Sequence, residues 1–495
     1  MSKMGSMRAT SRSRRRLGVG LSLSLAVILV MTVVAPVGAA TVGASWRAKI
    51  GRAGGNGTAT IQAYTTGTGS LALRLAGLRA ATNLPVTLSN GTCAFMGSRL
   101  ITFPAIRTTS SGSAARTSSL TAAQVRKLKA ATYGTGKIAI RVGSSSTGGV
   151  RCGVFTVLYA PIGIVLPAGW PDLAVLQNAL KSAPYGARVL VSKDAATEKA
   201  AVEALVKQGI KVLILCPQDG TAAAATADEA RAAGVKVINS GRLVRDTASV
   251  DYYVDFDNVA VGAAQAQYLV DRAGATSGNN LYLYAGSAVD NNSFLFLEAA
   301  WEKLQPKIAD GTFVIRNSSV AVALQGNPTL TRDQEASVIA QVDTHWLFDD
   351  ARNLARGNLA AVPAAAKSPA FILAPNDTTA RAISDVFAAD PDVRTFFVTG
   401  QDADKAWVQY LINGTQGMTV FKDPRVRVQA GLTAAAAFMG GSTPVATTTL
   451  DNGAIDVPTR LLASVTVTID NVQAALIDTG FYRASDFTGS WPGKP

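Results

Sequence analysis

The sequence predicts an α/β protein of two doubly wound parallel-sheet lobes preceded by a small β-rich domain. Three observations carry that expectation. Near residue 161 the texture changes, from short polar/apolar alternations to apolar runs that alternate with amphipathic stretches. The strand–helix alternation then restarts after Gly274, which calls for a second sheet. Charge divides the chain at the same place: residues 41–160 hold fourteen Lys and Arg but no Asp or Glu, and all 33 acidic residues come later.

Taken in order, residues 1–39 read as a secretory signal. Lys3, Arg8, Arg12, Arg14, Arg15 and Arg16 precede an uncharged apolar run from Leu17 to Val34, and Val37 and Ala39 suit cleavage before Ala40 or close to it. The run also approaches the roughly 20 residues that span a bilayer, so a retained anchor is the competing reading. No cysteine stands there to carry a lipid, and no later segment is apolar enough to span.

Residues 41–160 form the basic domain. Ala59–Ala63, Leu71–Leu75 and Lys137–Arg141 alternate with period two between Gly, Ser, Thr and Asn clusters, the pattern of an antiparallel sandwich or barrel. One helix is expected at Thr121–Ala130. Cys93 and Cys152 both fall here, and an exported chain permits a disulfide between them. Cys216 sits in the apolar run Val212–Cys216 and reads as an inert core thiol. A basic, acid-free exported surface either attracts anionic cell-surface polymers or is a solvated basic face with no dedicated partner. Nucleic acid is set aside because the signal removes the chain from the cytoplasm. No metal-ligand spacing and no cofactor motif is present.

From Ile162 the expected strands are Ile162–Leu166, Arg188–Val191, Lys211–Cys216 and Val235–Ile238. After Gly274 they are Leu281–Tyr284, Phe313–Ile315, Ala370–Leu373 and Thr395–Val398, with helices between. Ligands of open α/β sheets bind outside the carboxyl ends of the strands. The loops there are polar: Asn239–Arg242, Ala285–Asn292, Ala374–Thr378, Thr399–Asp404, and Lys422 after Gly417–Phe421. Carboxylates accept from two hydroxyls at once, amides donate and accept, Arg and Lys donate, and an aromatic face such as Trp346 covers C–H groups. That set suits a monosaccharide. Asx residues at loop starts also cap helices, so each alone is ambiguous.

Ordered motifs over about residues 161–488 resemble the periplasmic sugar-binding proteins of ABC importers, type I fold, xylose-binding branch. They are Val254–Asn258, Gly286–Asn292, Gly400–Asp404, Gly414–Lys422, Thr448–Gly453, Asp456–Leu462 and Gly480–Tyr482. The resemblance implies three crossovers within a domain spanning 161–495. Lobe 1 is expected at about 161–275 and 423–450, and lobe 2 at about 276–422 and 451–490. It implies sugar contacts at Arg242, Asp290, Asn291, Trp346, Asn376, Asp402 and Lys422, with Trp170 retained in the first loop. Two departures stand out: that loop, Pro167–Asp172, lacks the family's Arg, and Gly241 replaces an Asp. Each lost charged hydrogen bond costs about 1.5–3 kcal/mol unless Gln218 or Asp219 substitutes.

The expected function is therefore that of an exported, monomeric, non-enzymatic solute-binding protein in the periplasm or at the cell surface, which delivers a xylose-like aldose to an ABC importer permease. An extracellular sugar sensor or a cell-surface binding module is the alternative. Catalysis is disfavoured by the single histidine, His345, and by the lack of a nucleophile elbow. Asp402 and Asp404, two apart on a short loop, need not face each other as a glycosidase pair would. A cytoplasmic sugar-responsive repressor would need an N-terminal helix-turn-helix, which the signal and the β-rich domain replace.

Overall fold

The computed structural model describes residues 40–51, 57–134, 137–147 and 149–494, so the signal peptide expected at 1–39 lies outside the described residues. No helix of the described residues is long and apolar enough to cross a membrane.

The basic domain is a sandwich of two antiparallel sheets. One runs Ala114–Leu120, Gly69–Leu75, Gly57–Tyr64, Val42–Ile50, Thr156–Tyr159; the other runs Met96–Arg107, Asn83–Gly91, Ile138–Val142, Arg151–Val154. Period-two alternation puts Trp46, Ile50, Ile61, Leu73, Leu88 and Ile140 into one shared core. The helix Ala122–Gly134 adds Val125, Leu128 and Ala131 to it. Cys93 and Cys152 are disulfide-bonded, with their Cα atoms 5.8 Å apart.

The first lobe follows after only Ala160 and Pro161. Its sheet runs Ala187–Ser192, Ile162–Pro167, Val212–Leu215, Lys236–Ser240, Tyr252–Phe256, Asp456–Leu462, Thr448–Asp451; every neighbouring pair is parallel except the last. Every residue of Ile162–Pro167, Val212–Leu215 and Tyr252–Phe256 is buried, as expected where helices cover both faces. Buried Cys216 belongs to this core. The second lobe has the parallel order Phe313–Ile315, Asn279–Leu283, Ala370–Leu373, Phe396–Val398. The antiparallel pair Thr419–Phe421 and Val465–Val467, strands separated by an excursion through the first lobe, joins it through a bridge between Gln401 and Val420.

The chain passes between lobes three times: after Phe256, after Phe421 and after Leu462. The lobe limits shift from the expected ones in two places. Helix Asn258–Ala273 packs Ala266, Leu269 and Ala273 into the core of Leu281, Phe294 and Phe371, so the second lobe begins near 258 rather than 276. Thr448–Leu462 belongs wholly to the first lobe, because Tyr253 pairs with Thr459 and Phe256 with Leu462.

Candidate functional site

The carboxyl ends of the two sheets face each other, and the polar loops meet there. Arg242 follows strand Lys236–Ser240 through Gly241, whose φ of 81° is the left-handed conformation glycine tolerates best. Its Nε donates to Asp290 Oδ2 of the second lobe at 2.9 Å, and Nη1 donates to the Gln218 carbonyl at 2.6 Å. Asp290 also caps the helix Asn291–Ala309, accepting from the Asn292 N–H at 2.9 Å. Burial pushes the Asp290 carboxyl above its ordinary range, against the pull of Arg242. Two further bonds join the lobes here: Arg245 Nη1 to Asn291 Oδ1 at 3.3 Å, and Gly220 N–H to the Val289 carbonyl at 3.2 Å. The Trp170 ring lies 5.6 Å from the Arg242 guanidinium and 5.4 Å from that of Arg427.

Six residues past Asp290, on the same helix, Phe296 begins a second group. Its ring is edge-on to Trp346, with centroids 6.2 Å apart, and lies 5.5 Å from the Lys422 ammonium. Lys422 pairs with Asp402 at 3.2 Å. Trp346 covers Gly286 so closely that a Cβ there would stand 2.0 Å from the ring. Trp346 and Asp402 both hold positive φ, 63° and 93°, conformations that cost free energy and concentrate at functional sites. Asp377 lies beneath Asp402, accepting from Thr419 Oγ1 at 2.9 Å and from the Asp404 N–H at 2.7 Å. Burial first, and Asp402 second, push its carboxyl well above the ordinary range. Ser293 Oγ, Trp346 Nε1 and Gln401 Oε1 are buried without a hydrogen-bond partner. Buried polar atoms are ordinarily satisfied, and these three, gathered around Phe296 and Asp402, make no hydrogen bond to the protein.

Seven of the eight candidate contact residues thus fall into two linked groups: Trp170, Arg242, Asp290 and Asn291, and Trp346, Asp402 and Lys422. Asn376 stands apart in its bonding. Its Oδ1 accepts from the Thr379 N–H at 3.1 Å and from Thr379 Oγ1 at 2.7 Å, so the side chain caps helix Asp377–Ala389. Gln218 and Asp219, the residues named as substitutes for the missing Arg and Asp, both make bonds within the first lobe. Gln218 Nε2 is spent on the Ser192 carbonyl at 2.7 Å, and Asp219 accepts from the Thr221 and Ala222 N–H groups.

Sequence reasoning missed Arg245, Phe296 and a buried network below the cleft. Arg427 reaches Asp172 with two bonds of 2.9 Å and Asp255 with one of 3.2 Å. Asn258 Nδ2 donates to Asp255 Oδ2 at 2.8 Å and to Asn292 Oδ1 at 2.9 Å, which ties the first crossover to the second lobe. Helical spacing from Asn292, four residues earlier on the same helix, could have found Phe296, and Arg245 is three residues past Arg242. Arg427 is invisible locally, because its partners lie far away in sequence. Glu198, buried, accepts from the Gln218 N–H at 2.7 Å and is pushed up to about 7 by burial. No cluster among the described residues has the makings of a metal site.

Residues 172–443 match the model of a periplasmic binding protein domain. A multiple sugar-binding periplasmic receptor of Rhizobium radiobacter is 33% identical over 338 residues, 65% of this chain and 91% of the relative. The D-xylose-binding periplasmic protein of Escherichia coli K12 is 30% identical over 62% of this chain and 85% of its own. Among solved structures, a carbohydrate-transporter solute-binding protein of Chloroflexus aurantiacus in complex with D-glucose is 58% identical. It aligns with a TM-score of 0.66 over 68% of this chain and 99% of that one. An ABC transporter solute-binding protein of Clostridium phytofermentans with bound β-D-glucose is 26% identical, with a TM-score of 0.59 over 66% and 99%.

Proposed function

The chain belongs to the periplasmic binding protein family, and from that membership we propose that it captures a monosaccharide between its lobes and presents it to an ABC importer. The observation that carries the reading is the meeting of Arg242 from one lobe with Asp290 from the other, flanked by Trp170. A cleft whose two halves already bond to each other is one that closes. The ligand is an aldose of the glucose and xylose kind, as in the relatives.

In this mechanism the lobes hinge on the three crossovers, and the sugar adds its hydroxyls to the set of cross-lobe bonds. Asp290, Asn291, Asp402, Lys422 and Arg242 serve hydroxyls and the ring oxygen; Trp346 or Trp170 covers a C–H face. Asn376 contributes by capping its helix and offering its free amide N–H. The closed form is what the permease recognises, so closure must be rarer without sugar. A thermal-shift screen over aldoses, ketoses and polyols tests this. D-Glucose or D-xylose should raise the melting temperature, and no shift with any of them would refute the sugar reading. The sugar should be recovered unchanged, as expected of a binder and not a glycosidase.

Its relatives are periplasmic proteins, which implies export. Within that setting we read the chain as a monomer whose acid-free domain, residues 41–160, engages an anionic polymer of the cell surface. Retention on immobilised polyuronate at low salt and release at high salt would support this; salt-independent binding, or none, would discard it.

A further inference from the structure

The helix Asp172–Leu180 starts on the loop that carries Trp170 and has no side-chain N-cap. So short a helix is marginal alone. Two anchors hold it. At its start Asp172 receives the paired bonds from Arg427. Beyond its end, the turn after Leu180 is gripped by the N-terminal β domain. Lys129, buried on helix Ala122–Gly134, donates to the Ala183 carbonyl. Tyr133, on the same helix, accepts from the Ala187 N–H at 3.0 Å. Gly186 N–H donates to the Gly43 carbonyl at 2.8 Å. The backbones approach so closely that a Cβ at Gly43 would stand 2.1 Å from the Pro184 carbonyl oxygen, and one at Gly186 2.6 Å from Ala44 Cβ. A merely tethered module would need none of these contacts.

We infer that Lys129 and Tyr133 are positioning residues for the sugar cleft: by fixing the far end of helix Asp172–Leu180, they hold Trp170 in place against Arg242 and Arg427. The β domain is then part of the first lobe's binding apparatus, whatever else it touches. The inference rests on the sugar-binding reading above. Coupling of this kind alters affinity by roughly 2- to 30-fold.

The test is D-glucose affinity by calorimetry on the full chain, with melting temperature and hydrogen exchange over residues 168–181 measured alongside. Lys129→Met and Tyr133→Phe should weaken affinity by about fivefold and speed exchange in that segment. Lys129→Arg should restore most of the loss. Arg126→Met with Lys127→Met, exposed on the same helix, should change nothing. If Tyr133→Phe and Lys129→Met lower the melting temperature but leave affinity within experimental error of the parent, the contacts only stabilise and the inference is overturned. If the parent itself binds no sugar, the sugar reading fails and takes this one with it. Should Lys129→Met fail to fold, Tyr133→Phe, which deletes one hydroxyl, carries the decision.

Discussion

Replacing Asp290 by Asn probes the closure mechanism directly. The carboxylate sits 2.9 Å from Arg242 Nε, with the two side chains 6% and 16% exposed. A hydrogen bond with a charged partner at such burial contributes about 1.5–3 kcal/mol. Because the partners stand on opposite lobes, that energy favours only the closed arrangement; on opening, water satisfies both groups. At 1.4 kcal/mol per factor of ten, the closed-to-open ratio should fall roughly 10- to 150-fold. The lower end is expected, since Arg242 keeps the Gln218 carbonyl and its place beside Trp170. Asparagine still accepts from the Asn292 N–H, so the helix cap survives and the lobes stay folded. The assay is small-angle scattering with a fluorophore pair spanning the lobes, with and without D-glucose. The variant should be more open without sugar and need correspondingly more sugar to close. A variant as closed as the parent, with unchanged affinity, would refute the argument.

Three further outcomes follow from the geometry. Burial pushes Glu198 up to about 7 in the fold against 4.5 when free, so the folded state binds the extra proton: the contribution of this group to stability is full below about pH 4.5 and is lost as pH rises through about 7. Glu198→Gln should make that fall shallower, leaving the share of Glu335, which burial also pushes up to about 7, and should gain at most about 3 kcal/mol at pH 8 in urea titrations; an unaltered pH profile would count against it. Gly286→Ala forces the Trp346 ring aside, so both tryptophan emission and the D-glucose response should change; neither changing would mean the ring is not seated there. Asp402→Ala and Asp402→Asn should both forfeit sugar-induced thermal stabilisation. Only the alanine variant should lose about 1 kcal/mol of basal stability, because Asn tolerates the positive φ. Equal basal stability would show that backbone strain at this position is negligible.

Most strands of both lobes were legible because parallel strands buried on two faces are apolar throughout, as in Val212–Leu215 and Ala370–Leu373; buried Tyr252–Phe256, whose run is broken by Asp255, was not. Polar loops at their carboxyl ends were legible for the same reason, since they break those runs abruptly. Allegiance of elements to lobes was not. Helix Asn258–Ala273 has an ordinary amphipathic pattern, and nothing local says which sheet its apolar stripe will cover. The strand Asp456–Leu462 pairs with Tyr252–Phe256 only once the intervening chain has folded away. Charged residues whose partners are remote were hidden too: Arg427 reads as one more basic residue on a helix, yet it joins Asp172 to Asp255. Asn376 shows the opposite difficulty. The same side chain suits both a helix cap and a ligand contact, and the cap is what its oxygen does.

The interleaving of the lobes bears on how the polypeptide matures. The first sheet cannot gain its last two strands until Thr448–Leu462 emerges, after nearly all of the other lobe has been made. Such long-range pairing folds slowly. A nascent chain kept from completing its first compact body stays threadable for longer, which would suit the export proposed above.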